Sequence, residues 1–422
     1  MSLRRAALFS LVPFTLLAAC GSDSTSPPTS AVPGSSAAVP GSSAAVANTT
    51  VPAAPDTTAA PPDTVPSISL VAADAPFPAD RCEANKKAGT INYLSSFDFA
   101  ASASIVDVLV AKQKGYFDDM CLDVNVKASF STDNYPLIAA NEAQFSSGGS
   151  FSEVVDYAGR NDAGFVALAV EGRTGIDALI VKDGQSTELS DLKGKTIGVK
   201  GAITPSVAAM LKKAGLTEGT DYQTALLDGF DPKVHIAIPE IVGFPGFKSN
   251  EPLQLTAAGI PFKLYDPADY GIPGSFGVIY TNSTFLSDFP TASEDFMRAA
   301  MKGLADALAD PKGAADIAVG MINANGNALF LSPEGEVARW GVESKLISDS
   351  TASDLPIGVP DTKLLEQEVN TYADIGLFDG QVPDISQQQV VAAGCSLLDS
   401  ADGQKAISAW AGVNDDGLFE GS

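Results

Sequence analysis

The residues of this chain that could do chemistry are better suited to binding than to catalysis. His235 is the only histidine among 422 residues, which argues against histidine metal sites, Ser-His-Asp triads and most general-base chemistry. The four cysteines are Cys20, Cys82, Cys121 and Cys395, and no two of them form a CxxC pair. We therefore predict no catalytic residue, no metal site and no cofactor, and we look for side chains that hold a ligand.

Hydroxyl and aromatic side chains follow the first predicted strand, Thr90–Leu94. Ser95, Ser96 and Phe97 come directly after it. Aromatic rings can stack on a flat heterocycle while short hydroxyls hydrogen-bond its edge. Core packing is the competing interpretation of the rings, and for Phe99 we favour it.

Two further turns have the composition of ligand-contacting loops. Gly148 and Gly149 precede a helix that Ser150 caps, and their backbone amides could approach a ligand closely. Ile203 and Thr204 occupy the corresponding turn later in the chain. A well-capped helix explains Ser150 or Thr204 equally well.

Alternating strands and helices predict an α/β protein with two lobes and a cleft between them. Predicted strands are Thr90–Leu94, Leu122–Val126, Ala143–Ser146, Phe165–Val170, Asp177–Lys182, Thr196–Lys200, Ile236–Val242, Pro261–Tyr265 and Ser275–Tyr280. Predicted helices include Ser104–Lys114 ending at Gly115, one that opens at Pro205, and one that begins with a capping box at Thr291–Glu294 and ends at Pro311. Ligands of open α/β sheets bind beyond the carboxyl ends of the strands, which here face the cleft.

The amino terminus predicts export and lipidation. Arg4 and Arg5 precede a short apolar run, and Leu17 to Gly21 reads Leu-Ala-Ala-Cys-Gly. This pattern indicates a signal peptide, and Cys20 resembles the lipidated cysteine of bacterial lipoproteins. An ordinary signal peptide with an incidental cysteine is the alternative.

The segment after Cys20 predicts a tether. To about Pro78 it is mainly Ser, Thr, Ala, Pro and Val, and Val-Pro-Gly-Ser-Ser-Ala-Ala occurs twice. Such a composition cannot bury enough apolar surface to fold. The net charge of −25 disfavours nucleic acid as a partner.

Several segments together resemble substrate-binding lipoproteins of ABC importers, in the group that takes thiamine pyrimidine precursors, riboflavin, nitrate, sulfonates and taurine. The matching segments are Val106–Val126, Ser147–Val155, Leu192–Gly201, Gly246–Ile260 and Val278–Pro311. They occur in the family's order. The resemblance implies the type II periplasmic-binding-protein fold, closure of two lobes over a small solute, and an ABC permease and ATPase as partners.

Asn250-Glu251-Pro252 resembles a marker of the branch that binds pyrimidine precursors, in which the glutamate reaches the ring. A helix start at Asn250 with an acid in its first turn is the competing interpretation. Phe247 lies just upstream and could form a wall of the pocket. With no arginine in these turns, we favour an aromatic heterocycle over an oxyanion such as a sulfonate, taurine or nitrate.

The predicted organisation follows from these segments. Residues 1–19 are a signal peptide, 20–80 the lipidated cysteine and tether, 81–183 and 274–422 the two parts of lobe one, and 184–273 lobe two. We expect a monomer, lipid-anchored at Cys20 on the extracytoplasmic face of the cell membrane. A pyrimidine-precursor biosynthetic enzyme and a non-transport sensor are the alternative functions.

Cys82 and Cys121 each precede a predicted strand. Adjacent parallel strands would bring both to one end of the sheet, so we predict a disulfide between them. Pairing of Cys82 with Cys395 is the alternative.

Overall fold

The computed structural model describes residues 69, 71, 75–325, 331–349, 357–380 and 382. The predicted signal peptide, Cys20, most of the tether and Cys395 lie outside this part of the chain. Among the described residues, no helix combines the length and the apolar composition needed to cross a lipid bilayer.

Two five-stranded sheets form the framework. The strands are β1 (Thr90–Leu94), β2 (Asp123–Lys127), β3 (Phe145–Gly148), β4 (Phe165–Gly172), β5 (Asp177–Lys182), β6 (Thr196–Val199), β7 (Gln223–Leu226), β8 (Gly243–Phe247), β9 (Phe262–Tyr265) and β10 (Phe276–Asn282). The first sheet has the order β2-β1-β3-β10-β4, and we call it with its helices lobe one. The second has the order β7-β6-β8-β5-β9 and defines lobe two.

Each sheet is mixed in the same way. β1 is parallel to β2 and β3, and β10 runs antiparallel between β3 and β4. In lobe two, β6 is parallel to β7 and β8, and β5 is antiparallel to β8 and β9. Three parallel strands in each sheet therefore end at one edge, where a ligand site is expected.

Helices cover both sheets. They are α1 (Ala79–Lys86), α2 (Val106–Lys114), α3 (Tyr116–Asp119), α4 (Ser131–Ala139), α5 (Phe151–Asn161), α6 (Pro205–Lys213), α7 (Pro232–Ala237), α8 (Glu251–Ala257), α9 (Ser283–Asp288), α10 (Pro290–Ala309), α11 (Pro311–Asn325), α12 (Pro333–Asp349) and α13 (Thr362–Ala373). Short 3-10 helices lie at Leu189–Leu192, Pro267–Tyr270 and Leu377–Gly380.

Separate apolar cores stabilise the lobes. The largest lies between the first sheet and helices α2 and α10, and a second lies on the opposite face of that sheet. Lobe two has a core on each face of its own sheet. Helix α13 contributes to both lobes, because Leu365 and Val369 pack in lobe one and Tyr372 packs in lobe two.

Two crossing segments join the lobes and touch each other. The first lies between β4 and β5, and the second between β9 and β10. A Cβ atom on Gly274 would lie 2.7 Å from the Cα of Gly175. Only glycine permits this close approach of the two backbones.

Several predictions about elements are confirmed. Gly115 has the left-handed conformation that ends α2. Pro205 occupies the first turn of α6, and β10 returns the chain to the first sheet. Cys82 and Cys121 form the predicted disulfide.

Other predictions about elements are wrong. The predicted strand Ile236–Val242 begins inside α7, because Asp231 accepts a hydrogen bond from the Lys233 amide and starts a helix there. Strand β8 begins only at Gly243.

The predicted boundary at residue 183 also needs correction. Asp177–Lys182 was assigned to the first part of lobe one, but this strand lies between β8 and β9 in the second sheet. The chain therefore crosses between lobes before Asp177.

The predicted capping box at Thr291–Glu294 is wrong as well. Helix α10 already begins at Pro290, and no side chain caps it. Proline's fixed backbone angle suits the first position of a helix, so the helix starts there without a polar cap.

Candidate ligand-binding site

A cleft lies where the carboxyl ends of the parallel strands of both lobes meet. It consists of two adjoining cavities of about 550 Å³ and about 690 Å³. Both are lined by Phe97, Lys200, Phe230, Phe247 and Asn250. Volumes of this size are typical of small-molecule sites.

Four exposed or half-buried phenylalanines give the cleft its apolar walls, and a fifth, the buried Phe276 of β10, also lines the larger cavity. Phe97 and Phe130 come from lobe one, and Phe230 and Phe247 come from lobe two. Three of them are unusually exposed for such large apolar side chains: Phe130 at 42%, Phe230 at 68% and Phe247 at 42%. Exposed aromatic rings that converge on one concave site indicate a surface that is completed by a partner molecule.

The rings are held in place by their neighbours. The Phe97 and Phe130 rings meet edge to face with centroids 6.0 Å apart. The Arg339 guanidinium lies 5.2 Å from the Phe97 centroid, and the Lys200 amine lies 5.1 Å from the Phe230 centroid. Cation–π contacts at these distances stabilise the ring positions.

Glu251 holds two parts of lobe two together. One carboxylate oxygen accepts from the Lys200 Nζ at 2.9 Å, and the other accepts from the Phe247 backbone amide at 2.8 Å. Glu251 lines the smaller cavity and is 4% exposed. Both oxygens are thus engaged by protein donors, which differs from the predicted role of a carboxylate open to a ligand ring.

Helix α12 connects the two lobes across the cleft. Arg339 donates to Oδ1 of Asn250 at 3.2 Å. The Glu343 carboxylate accepts from the Ala103 amide at 2.7 Å and from the Ser249 hydroxyl at 2.6 Å. Since Ala103 belongs to lobe one and Ser249 to lobe two, Glu343 joins both walls of the site.

The cleft carries an excess of acidic side chains. Its acidic lining residues are Asp133, Glu153, Asp177, Asp231, Glu251 and Glu343, and its basic ones are Lys200, Lys233 and Arg339. Lys200 pairs with Glu251, and Lys233 lies 3.6 Å from Asp231. Four acids, Asp133, Glu153, Asp177 and Glu343, have no ion pair among the described residues. An anionic ligand would meet this excess of negative charge.

Three of these acids have altered proton affinities, and in Glu343 burial raises the pKa of the carboxyl. Burial raises the pKa of Glu153 to about 7, and the nearby Asp177 carboxylate adds to the rise. Burial likewise raises the pKa of Asp177 to about 6, although a hydrogen bond from Ser206 opposes the effect. Desolvation disfavours the charged carboxylate in each case.

Most of the predicted contact residues lie in the cleft. Ser96, Phe97, Gly148, Gly149, Thr204, Phe247, Asn250 and Glu251 line one or both cavities. Whether they touch a ligand stays a prediction.

The remaining three predicted residues are not among those that line the cavities. Ser95 is completely buried, and its hydroxyl accepts from the Ser129 amide. Ser150 caps α5 by accepting from the Glu153 amide at 3.4 Å. Ile203 packs on the core of lobe two. These side chains position the loops of the cleft.

The turn at Thr204 differs from its expected capping geometry. Thr204 occupies the residue before α6, but its side chain makes no capping hydrogen bond. Its hydroxyl oxygen is buried and has no hydrogen-bond partner among the described residues. This hydroxyl therefore has unused hydrogen-bonding capacity in a residue that lines the smaller cavity.

Sequence reasoning missed Phe130, Phe230, Arg339 and Asp177. Phe130 and Phe230 follow the carboxyl ends of β2 and β7, a position that could have marked them. Asp177 is a single acid at the head of an apolar strand, which was a weaker signal. Arg339 comes from α12, which begins at Pro333, long after β9, the last strand of lobe two, ends at Tyr265, and no local pattern indicates its place.

Solved structures show which class of fold this is. The alkanesulfonate-binding protein SsuA from Xanthomonas axonopodis pv. citri, solved with MOPS, has a TM-score of 0.51 at 13% identity, covering 72% of this chain and 97% of that one. The periplasmic aliphatic sulphonate binding protein SsuA from Escherichia coli gives 0.52 at 12% identity, covering 71% and 91%. The architecture is the bilobed periplasmic-binding-protein fold, as the sequence resemblance implied.

The family follows from the sequence itself. Residues 102–314, half of the chain, match the profile described as NMT1/THI5 like. The chain belongs to this family. The riboflavin-binding protein RibY from Chloroflexus aurantiacus is 25% identical over 209 residues, which are 49% of this chain and 53% of that protein. The chain thus matches about half the length of this relative.

Proposed function

We propose that this protein is an extracytoplasmic solute-binding protein of an ABC importer and that its ligand is a small, flat aromatic heterocycle of the riboflavin or thiamine-pyrimidine type. The observation that carries this proposal is the convergence of four phenylalanines from both lobes on one cleft. Closure of two lobes places rings on both faces of a flat ligand, which buries apolar surface and aligns the rings for stacking.

Charge supports an aromatic ligand over an oxyanion. The cleft has six acidic and three basic lining residues. A neutral or cationic heterocycle is compatible with that excess, whereas a sulfonate or nitrate is repelled by it. The family relative named as riboflavin-binding agrees with this choice.

The proposed role is transport without catalysis. The ligand is held by stacking and hydrogen bonds, and no bond is made or broken. The partners are an ABC permease and its ATPase, which receive the ligand from the closed protein. Lipid on Cys20 keeps the binding lobes at the membrane, and the tether lets them reach the permease.

A screen of thermal unfolding tests the ligand class. Riboflavin, an aminopyrimidine, taurine, an alkanesulfonate and nitrate are added separately to the purified protein. A ligand at about 100 times its Kd stabilises the folded state by roughly 2.7 kcal/mol. Stabilisation by riboflavin or the aminopyrimidine supports the proposal, and stabilisation only by the anions refutes it.

Binding of a small oxyanion is the second candidate function, and two cations favour it. Lys200 and Arg339 both line the larger cavity, although each also contacts an acceptor of the protein. Arg339→Gln distinguishes the candidates. An anion that pairs with the guanidinium should no longer bind this variant. A stacked heterocycle should bind only somewhat more weakly, because Arg339 no longer holds the Phe97 ring in position.

A further inference from the structure

Asp177 and Thr204 both line the smaller cavity, at the lobe-two end of the cleft. The Ser206 hydroxyl, in the first turn of α6, donates to Oδ2 of Asp177 at 3.2 Å. Thr204 is the residue before the same helix. One oxygen of Asp177 is thus held against the turn that carries Thr204.

The other polar atoms of this pair have no protein partner. Oδ1 of Asp177 and Oγ1 of Thr204 are both buried without a hydrogen bond to any described residue. A buried carboxylate or hydroxyl oxygen without a hydrogen-bond partner destabilises the folded protein. That destabilisation is removed when a molecule in the cavity supplies a hydrogen-bond donor.

Asp177 is also next to an aromatic wall of the cleft. In the antiparallel pairing of β5 and β8, Asp177 lies directly opposite Phe247. Side chains of directly opposed residues project from the same face of a sheet. A ring stacked on Phe247 therefore has its edge beside the Asp177 carboxylate.

We propose that Asp177 and Thr204 form a polar subsite that receives an amino group on the edge of the aromatic ligand. The carboxylate accepts from the amino group, and the threonine hydroxyl donates to a neighbouring ring nitrogen. This arrangement selects heterocycles in which an exocyclic amine adjoins a ring nitrogen. The inference rests on the proposed function, because it requires that the cleft hold an aromatic ring.

Two other acids of the cleft are already occupied by protein donors. Glu251 is occupied by Lys200 and the Phe247 amide. Glu343 is occupied by donors from both lobes. Lys248, the residue directly after β8, is already paired with Asp266 at 2.6 Å. Asp177 is therefore an acceptor in the cleft that no ion pair neutralises among the described residues.

Calorimetric titration with 4-aminopyrimidine and 4-methylpyrimidine tests the subsite, because the two probes have the same shape and differ in the donor. Wild-type protein should bind the amino compound about tenfold more tightly or better, since a hydrogen bond to a charged group is worth more than a neutral one. Asp177→Asn should remove most of this preference, and Thr204→Val should reduce it.

Asp183→Asn is the matched control, since Asp183 is an exposed acid directly after the opposite end of β5 and does not line either cavity, and it should keep the preference. Thermal unfolding without ligand shows that each variant is folded. Equal binding of the two probes by wild type, or an undiminished preference in Asp177→Asn, overturns the subsite.

Failure of the two proposals can be told apart in the same assay. If the wild-type protein binds riboflavin but neither pyrimidine, the subsite is wrong and the aromatic ligand class stands. If it binds taurine and no aromatic compound, the proposed function is wrong, and the subsite is wrong too because it requires an aromatic ligand.

Discussion

The exposed rings of the cleft are the residues on which ligand affinity should depend most. Phe247 is 42% exposed and sits at the end of β8. The Phe247 ring is not part of the apolar core of lobe two, whereas the nearby Phe244 is fully buried in it. Such a residue can be removed with little effect on folding, and its substitution reports on binding.

Phe247→Ala should weaken riboflavin binding about tenfold while changing the unfolding midpoint little, because a stacking surface is lost from the site. Calorimetric titration gives the affinity. Leu264→Ala is a matched control in the same lobe, since Leu264 is 37% exposed on β9 and is not among the residues lining the cleft. An equal loss of affinity in both variants would contradict the assigned role of Phe247.

Beneath the wall of lobe one lie two buried carboxyl groups that face each other. Asp107 of α2 and Glu171 of β4 are at most 2% exposed. Burial raises the pKa of Asp107 to about 7 and raises the pKa of Glu171 well above its usual value, where repulsion from Asp107 adds to the rise. Burial and mutual repulsion therefore predict that the pair shares a proton at neutral pH.

This pair should make the protein less stable as pH rises. The unfolded carboxyls release their protons near pH 4, whereas the folded pair keeps a proton to about pH 7. The folded state therefore binds more protons across this window, and its contribution to stability is lost as pH increases through it.

Asp107→Asn/Glu171→Gln should remove this dependence. The double variant should be more stable than wild type by on the order of 2 kcal/mol at pH 7.5, and the difference should shrink towards pH 4.5. Urea denaturation at both pH values measures it. A difference that is independent of pH would show that the pair does not share a proton.

The disulfide between Cys82 and Cys121 ties α1 to the turn before β2. The two cysteines are 39 residues apart, and closing a loop of that length restricts the unfolded chain by about 3–4 kcal/mol. Cys82→Ser/Cys121→Ser should lose stability of that order in denaturation experiments. Reductant should destabilise the wild type and leave the double variant unchanged, and equal sensitivity of both to reductant would refute the assignment.

Local sequence signals predicted helix ends better than they predicted which sheet a strand joins. Gly115 and Pro205 mark helix ends by backbone geometry alone, and both were correctly interpreted. Asp177 begins a strand that belongs to lobe two, and nothing within the strand indicates which sheet it joins. Arg339 reaches the cleft through packing of a distant helix, which depends on tertiary contacts that no local pattern encodes.

The whole molecule is organised so that the lobes meet at the cleft. The crossing segments touch at Gly175 and Gly274, and α13 packs on both lobes behind them. On the cleft side, hydrogen bonds from Ser249 to Glu343 and from Arg339 to Asn250 join the lobes directly. Because few hydrogen bonds join the lobes on this side, loss of one of them should shift the lobes towards a more separated arrangement.

Ser249→Ala should weaken riboflavin binding about threefold to tenfold by removing one bond between the lobes. The change should appear as faster release in stopped-flow measurements. Ser190→Ala is the control, because the Ser190 hydroxyl bonds to Glu188 within lobe two. Unaltered release from Ser249→Ala would show that this bond does not hold the lobes together.

Calorimetric titration of the wild-type protein with riboflavin and with taurine tests the central claim most directly. A cleft walled by four phenylalanines and carrying more acids than bases should bind one riboflavin per chain and show no heat of binding with taurine. Saturable binding of taurine together with no binding of riboflavin would contradict the account.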